Sequence, residues 1–254
     1  MQAEISCHRV RKVFGKGLTA FEAITAATFS VAKGEFVCLL GPSGCGKSTL
    51  LMMIAGLEAV TEGTILASGT HMTGPRAEIG IVFQDPTLLP WKTALANVEF
   101  PLALRHVDAT ARRKRCTQLL DLVGLSEFVD HYPHELSGGM RQRVAIARGL
   151  AQDPRLILMD EPFAALDEQI RTRMGHDLLE IWERTGKTIF FITHSLSEAI
   201  YLSDTVLVMS ARPGSIIGTL TIDFPRPRDL DIIGSESFGR IRNRIWHLIS
   251  EPQK

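Results

Sequence analysis

Two glycine-rich segments of this chain have the residue types to hold phosphate. The first, Gly41-Pro42-Ser43-Gly44-Cys45-Gly46-Lys47-Ser48, has the spacing G-x-x-x-x-G-K-S and continues into Thr49. Glycine lets backbone N–H groups approach an anion with no Cβ in the way, and N–H groups at a helix start form an anion nest. Lys47 adds a point charge toward the β- and γ-phosphates, and Ser48 offers a hydroxyl to Mg2+. The second segment, Leu136-Ser137-Gly138-Gly139, reads by itself as a serine-capped helix start. Further on, an apolar run ends at Asp160-Glu161. Asp160 suits Mg2+ held through its water shell, and Glu161 is placed to polarise an attacking water. Alone, the acidic pair reads equally well as a helix cap. Beside a phosphate loop it points to hydrolysis of a nucleoside triphosphate.

These residues need elements to position them. Phe36–Leu40 is a continuous apolar run, which predicts a buried strand feeding the phosphate loop. Lys47–Ile54 then predicts a helix stopped at Gly56. Ile79–Phe83 predicts a second buried strand, ending at Gln84-Asp85-Pro86. From about Thr87 to Ala151 apolar residues recur at helical spacing, with a helix opened by Ser137. Arg155–Asp160, Thr188–Thr193 and Thr205–Met209 predict further strands, and Ile170, Met174, Leu178, Ile181 and Trp182 form one helical stripe. Strands alternating with helices imply a mainly parallel α/β sheet. The β-rich stretch before Gly34 predicts an antiparallel flank. Phe238, Ile241, Ile245, Leu248 and Ile249 predict a C-terminal helix.

Composition narrows the class of function. The chain has 254 residues, with 28 basic and 28 acidic side chains and a net charge of zero, so no overall field draws it to nucleic acid. Arg112-Arg113-Lys114-Arg115 reads as a solvated helix face. Arg240, Arg242 and Arg244 alternate with apolar residues of a packed C-terminal helix. The four cysteines show no C-x-x-C spacing, which argues against structural zinc or a disulfide framework. No apolar run reaches the roughly 18 residues of a membrane span, and Met1-Gln2-Ala3-Glu4 does not open a signal peptide. A cytoplasmic protein is the expectation.

Six features then stand in a fixed order: the phosphate loop, Gln84, Leu-Ser-Gly-Gly, Asp160-Glu161, Ala165-Leu166-Asp167 and His194. In this the chain resembles the ATP-binding subunit of ABC transporters over about Ile5 to Ile217. The resemblance implies a P-loop NTPase (RecA-like) α/β fold with a mainly parallel sheet, an antiparallel N-terminal β flank and an inserted helical subdomain. Residues 1–86 and 152–220 would form the nucleotide-binding core, 87–151 the helical subdomain, and 221–254 a short helical tail. It also implies ATP and Mg2+. Ser137, Gly138 and Gly139 would contact the γ-phosphate of ATP held by a second copy. Gln84 would touch Mg2+ and the water, and Asp167 would lie at the dimer seam. His194 would contact the γ-phosphate, and Phe14 would stack on adenine. One position departs from the family pattern: Met140 stands where glutamine is common and cannot donate a polar contact across the seam.

The stretches Gly80–Trp91, Thr193–Ala199 and Met209–Gly214 look like the nitrate, sulfonate and taurine importer branch. That implies integral-membrane permease subunits as partners, a periplasmic or lipid-anchored substrate-binding protein acting indirectly, and a peripheral place on the cytoplasmic face of the membrane. Leu88, Leu89, Pro90 and Trp91 would line a groove for a helix of the permease. The alternatives are an importer of another small solute, such as a thiamine precursor, and a soluble ABC-type ATPase outside transport. A P-loop kinase would leave Leu136–Gly139 unexplained.

Overall fold

The computed structural model describes residues 3–250. The outermost ends of the expected chain-long domain, residues 1–2 and 251–254, lie outside the described residues. Two compact units are present: Met1–Arg76 together with Thr188–Lys254, and Ala77–Lys187. The expected helical span 87–151 falls inside the second.

The first unit holds an antiparallel sheet and a mainly parallel one. The antiparallel sheet contains β1 (Ala3–Phe14), β2 (Phe21–Ala32), β4 (Glu62–Ala67) and the short β5 (Thr70–His71), in the order β2-β1-β4-β5. The other is built on β3 (Phe36–Leu40), which pairs in parallel with β8 (Thr188–Thr193) and with β9 (Thr205–Met209). A last strand, β10 (Ile216–Thr221), runs antiparallel to β9. Every residue of β3 and of β8 is buried, which is why both read as unbroken apolar runs rather than alternating ones. Helix α1 (Lys47–Ile54) leaves the phosphate loop and ends where Gly56 turns left-handed (φ +72°), with the Leu57 N–H closing onto the Met52 carbonyl at 2.9 Å. Helices α6 (Leu196–Leu202) and α7 (Glu236–Ser250) complete the unit, and Phe238 and Ile245 bury the inner face of α7.

The second unit pairs β6 (Ile79–Val82) in parallel with β7 (Leu156–Asp160). Its helices are α2 (Ala94–Leu104), α3 (Ala109–Leu122), α4 (Gly138–Leu150) and α5 (Glu168–Thr185). Each begins with a side chain accepting from its own first turn: Thr93, Asp108, Ser137 and Asp167 in that order. Arg143 of α4 donates to the Val123 carbonyl at 2.9 Å and pairs with Asp177 of α5, so α4 is tied to the end of α3 and to α5.

Two features differ from the expectation. Ile170 does not share the buried stripe of α5. Met174, Leu178 and Ile181 are buried, but Ile170 is exposed because it sits in the first turn, beside Gly139. The strands β4, β5 and β10 were not anticipated as elements: β4 opens with three exposed residues, β5 has two residues, and β10 buries only Leu220. Short, half-exposed edge strands carry little periodic signal.

Candidate nucleotide-binding site

In the first unit the phosphate loop leaves the C-terminal end of β3. Leu40 lies in register with Thr193 of β8 and Val208 of β9. The loop needs glycine at two points. Gly44 (φ +74°) and Gly46 (φ +102°, the N-cap of α1) have left-handed backbones, and a Cβ on Gly46 would stand 3.0 Å from the Ala23 carbonyl. Lys47 is buried, and its Nζ donates to the carbonyls of Gly41 (2.9 Å) and Pro42 (3.0 Å). The cation is therefore curled over the loop rather than extended into solvent. Ser43 and Ser48 are exposed, Thr49 is half-buried, and Cys45 is buried beneath the loop. His194 is exposed one residue beyond β8, so it leaves the sheet at the same end as Gly41. The turn carrying it is held by the Thr193 hydroxyl, which accepts from the Ser195 N–H at 2.9 Å and donates to Glu198.

Phe14 closes β1 and stands opposite Phe21 of β2. Both rings are partly exposed, at 38% and 44%. Lys12 backs Phe14, with its Nζ 4.7 Å from the ring centroid. The same ammonium donates to Glu58 (2.6 Å) and to the Ala59 carbonyl (2.7 Å), and the bond from Lys12 holds the Glu58 carboxyl below its ordinary range. A flat apolar face with a cation behind it suits a stacked heteroaromatic base.

In the second unit Gln84 and Asp160 follow register partners: Val82 of β6 faces Met159 of β7, and both chains exit at that end. Gln84 is exposed. Asp160 is the last residue of β7, and Glu161 takes φ +44°, a conformation that costs a non-glycine residue energy and concentrates at functional sites. The second cradle is complete in itself. Ser137 Oγ accepts from the Met140 N–H at 3.3 Å, and Arg141 braces the Leu136 carbonyl at 2.6 Å. A Cβ on Gly138 would stand 3.6 Å from Leu166, and one on Gly139 3.4 Å from Ile170. Asp167 accepts from the Ile170 N–H at 3.0 Å, so Ser137, Gly138, Gly139 and the Asp167 turn form one surface. A hollow of about 320 Å³ opens there, lined by Phe128, Ser137, Gly139, Met140, Ile170 and Met174. Met140 contributes an apolar wall to it.

The described residues thus bring Phe14, the phosphate loop and His194 together in one unit. In the other they bring together Gln84, Asp160 and Glu161 at one strand-pair end, and the second cradle with Asp167 at a second place. Four residues were not anticipated: Lys12, Phe21, Arg212, whose Nε donates to the Gly44 carbonyl of the phosphate loop, and Asn97, which accepts from the Leu89 N–H in the loop after Gln84. Lys12 and Phe21 lay in the stretch read as an antiparallel flank, Asn97 in the helical span and Arg212 in a segment noted for its resemblance, none with a role of its own. The cradle of positive-φ glycines ahead of α1, with a buried lysine folded over it, fits a polyphosphate. Among the described residues no cluster of three His, Cys, Asp or Glu side chains could hold a metal by itself. In the first unit the Ser48 hydroxyl, exposed at the start of α1, suits an ion such as Mg2+ that takes most of its ligands from phosphate and water.

Residues 24–164 match the ABC transporter family, and the chain belongs to that family, whose ATP-binding domain hydrolyses ATP. It is 45% identical over 251 residues to an uncharacterised ABC transporter ATP-binding protein of Methanocaldococcus jannaschii, covering 99% of this chain and 93% of that one. It is 46% identical to a nitrate import ATP-binding protein of Synechocystis (91% and 83% covered). It is 48% identical to a taurine import ATP-binding protein of Rhizobium johnstonii (80% and 78% covered). Among solved structures it is similar to a dimeric ATP-binding cassette in a post-hydrolysis state with ADP and Pi. The TM-score is 0.76 at 32% identity, covering 87% of this chain and all of that one.

Proposed function

We propose that this chain is the ATP-hydrolysing subunit of an importer for a small anion such as nitrate, a sulfonate or taurine. The observation that carries the reading is the pair of cradles. One is a complete phosphate loop. The other is a serine-capped helix start in the second unit, with Ser137 and Gly138 exposed, Gly139 buried behind them and no lysine of its own. Two copies face to face would give each phosphate loop the other copy's Ser137, Gly138 and Gly139, with Asp167 at the seam. Nitrate and taurine import, named for two of the relatives, support the choice of cargo. The dimeric cassette supports the assembly.

Phe14 stacks on adenine, and residues 41–49 hold the phosphates with Lys47 as their cation. Glu161 accepts a proton from water as its oxygen attacks the γ-phosphorus. The bond from that phosphorus to the β-bridging oxygen breaks, giving ADP and phosphate. Gln84 orients the water and His194 contacts the γ-phosphate. Ser48, Gln84 and Asp160 would hold Mg2+, which neutralises charge on the β- and γ-phosphate oxygens. Closing and reopening of the dimer drives integral-membrane permease subunits by rigid-body motion, with a periplasmic or lipid-anchored binding protein delivering the cargo to them. No described helix is long and apolar enough to cross a membrane, consistent with a peripheral place on the cytoplasmic face. Glu161→Gln tests the reading. The variant is expected to accumulate as an ATP-bound dimer by size-exclusion chromatography and to lose hydrolysis. Hydrolysis at the parent rate would remove Glu161 as the base, and a monomer at saturating ATP would remove the face-to-face assembly.

A further inference from the structure

The turn between β9 and β10 lies flush on the phosphate loop. The Gly214 N–H donates to the Ala23 carbonyl and the Gly214 carbonyl accepts from the Thr25 N–H, both at 2.9 Å, which ties the turn to β2. A Cβ on Gly214 would collide with the Cys45 carbonyl, and one on Gly41 would stand 2.9 Å from the Met209 carbonyl. From this turn Arg212 reaches back to the loop. Its Nε donates to the Gly44 carbonyl at 2.6 Å, and its Nη2 takes the place where a side chain on Gly44 would be. The guanidinium carbon lies 5.6 Å from the centroid of the Phe21 ring, and Phe21 is the cross-strand partner of Phe14. One exposed side chain thus joins the aromatic pair to the apex of the phosphate loop.

We propose that Arg212 is a positioning residue for nucleotide binding, held by Phe21 and acting through the Gly44 peptide. A trans peptide keeps its C=O and the next N–H on opposite sides. Pinning the Gly44 carbonyl toward Arg212 therefore turns the Cys45 N–H to the inside of the loop. There it makes a 3.4 Å bond to the Pro42 carbonyl, long enough to yield to a phosphate oxygen. Without the guanidinium, the Gly44 peptide is free to rotate, since glycine restricts φ so little. Each loop N–H that must then be reoriented on binding weakens affinity for every nucleotide that uses the loop, whatever its number of phosphates. The residue touches neither the attacking water nor the base, so turnover at saturation is unaffected.

The inference rests on the phosphate loop being the ATP site, and the experiment separates the two. Binding of ATP and ADP is measured by isothermal titration for the parent, Lys47→Ala, Arg212→Ala, Arg212→Lys and Phe21→Leu, alongside kcat at saturating ATP and the melting temperature without nucleotide. Arg212→Ala is expected to weaken ATP and ADP alike by about tenfold, the scale of one charge-assisted hydrogen bond, with kcat within about twofold and unchanged melting. Arg212→Lys, which can still donate to Gly44, regains most of the affinity. Phe21→Leu falls part of the way, and the double variant Phe21→Leu/Arg212→Ala is no weaker than Arg212→Ala alone, because the two act through one contact. Parent-like affinity in Arg212→Ala would overturn the inference, as would a loss matched by lower melting or a loss confined to kcat. Parent protein that binds no ATP, or Lys47→Ala that binds it normally, would instead overturn the ATP site.

Discussion

Replacing Trp91 by alanine should detach this subunit from its permease without disturbing its fold. The loop after Gln84 leaves Leu88 and Leu89 half-buried and Pro90 exposed, while Trp91 keeps 71% of its surface in solvent. It is not part of the helical core. The loop under it is stiff. Fully buried Asn97 accepts from the Leu89 N–H (2.8 Å) and donates to the carbonyls of Leu89 (3.2 Å), Lys92 (2.9 Å) and Thr93 (3.0 Å). An aromatic of this kind buries up to about 250 Å², so the exposed 71% leaves roughly 180 Å² for a partner. At about 25 cal/mol per Å² this is up to ~4.5 kcal/mol, and ordering of the side chain and partner reduces it to about 2–3 kcal/mol. The expected effect is a Kd for permease raised by about 30- to 150-fold, read by biolayer interferometry on permease in nanodiscs. Basal ATP hydrolysis and melting temperature should match the parent. If Trp91→Ala binds permease with parent affinity and supports full transport, the docking assignment and this use of exposed area both fail.

Two further outcomes follow from the same structure. Lys12→Met should weaken ATP binding severalfold by removing the cation behind Phe14 and should cost about 1 kcal/mol of stability in urea, given that Glu58 is partly exposed. Its Glu58 partner has a lowered pKa in the folded chain. The pair therefore contributes stability above the unfolded carboxylate value of about 4.3 and loses it as pH falls through the lower folded value; Lys12→Met should lack that acid-side loss. The four cysteines are all buried, and burial pushes the thiols of Cys7 and Cys38 up and that of Cys116 to about 11. At pH 8 a thiol reagent should therefore label native protein only at the rate of opening, and all four sites at once in guanidinium. Rapid native labelling would refute the burial.

The phosphate loop, the Asp160-Glu161 strand end and the capped Ser137 helix were legible because each is local. A strand buried on both faces is written as a continuous apolar run, and a loop that wraps an anion must put glycine where φ is positive, as at Gly44 and Gly46. The family order of those motifs supplied roles that no spacing could. The Ile170 position was misread because periodicity reports a helix face and not where the core beneath it ends. The contact of Arg212 with Gly44 spans 168 residues of chain, and the backing of Phe14 by Lys12 depends on Glu58 reaching in from the far end of α1. Sequence by itself determined that a nucleotide is gripped and where the gripping atoms lie along the chain. Only the tertiary structure decided what holds that grip in shape, because those hydrogen bonds and ring contacts join residues that become neighbours when the sheets form.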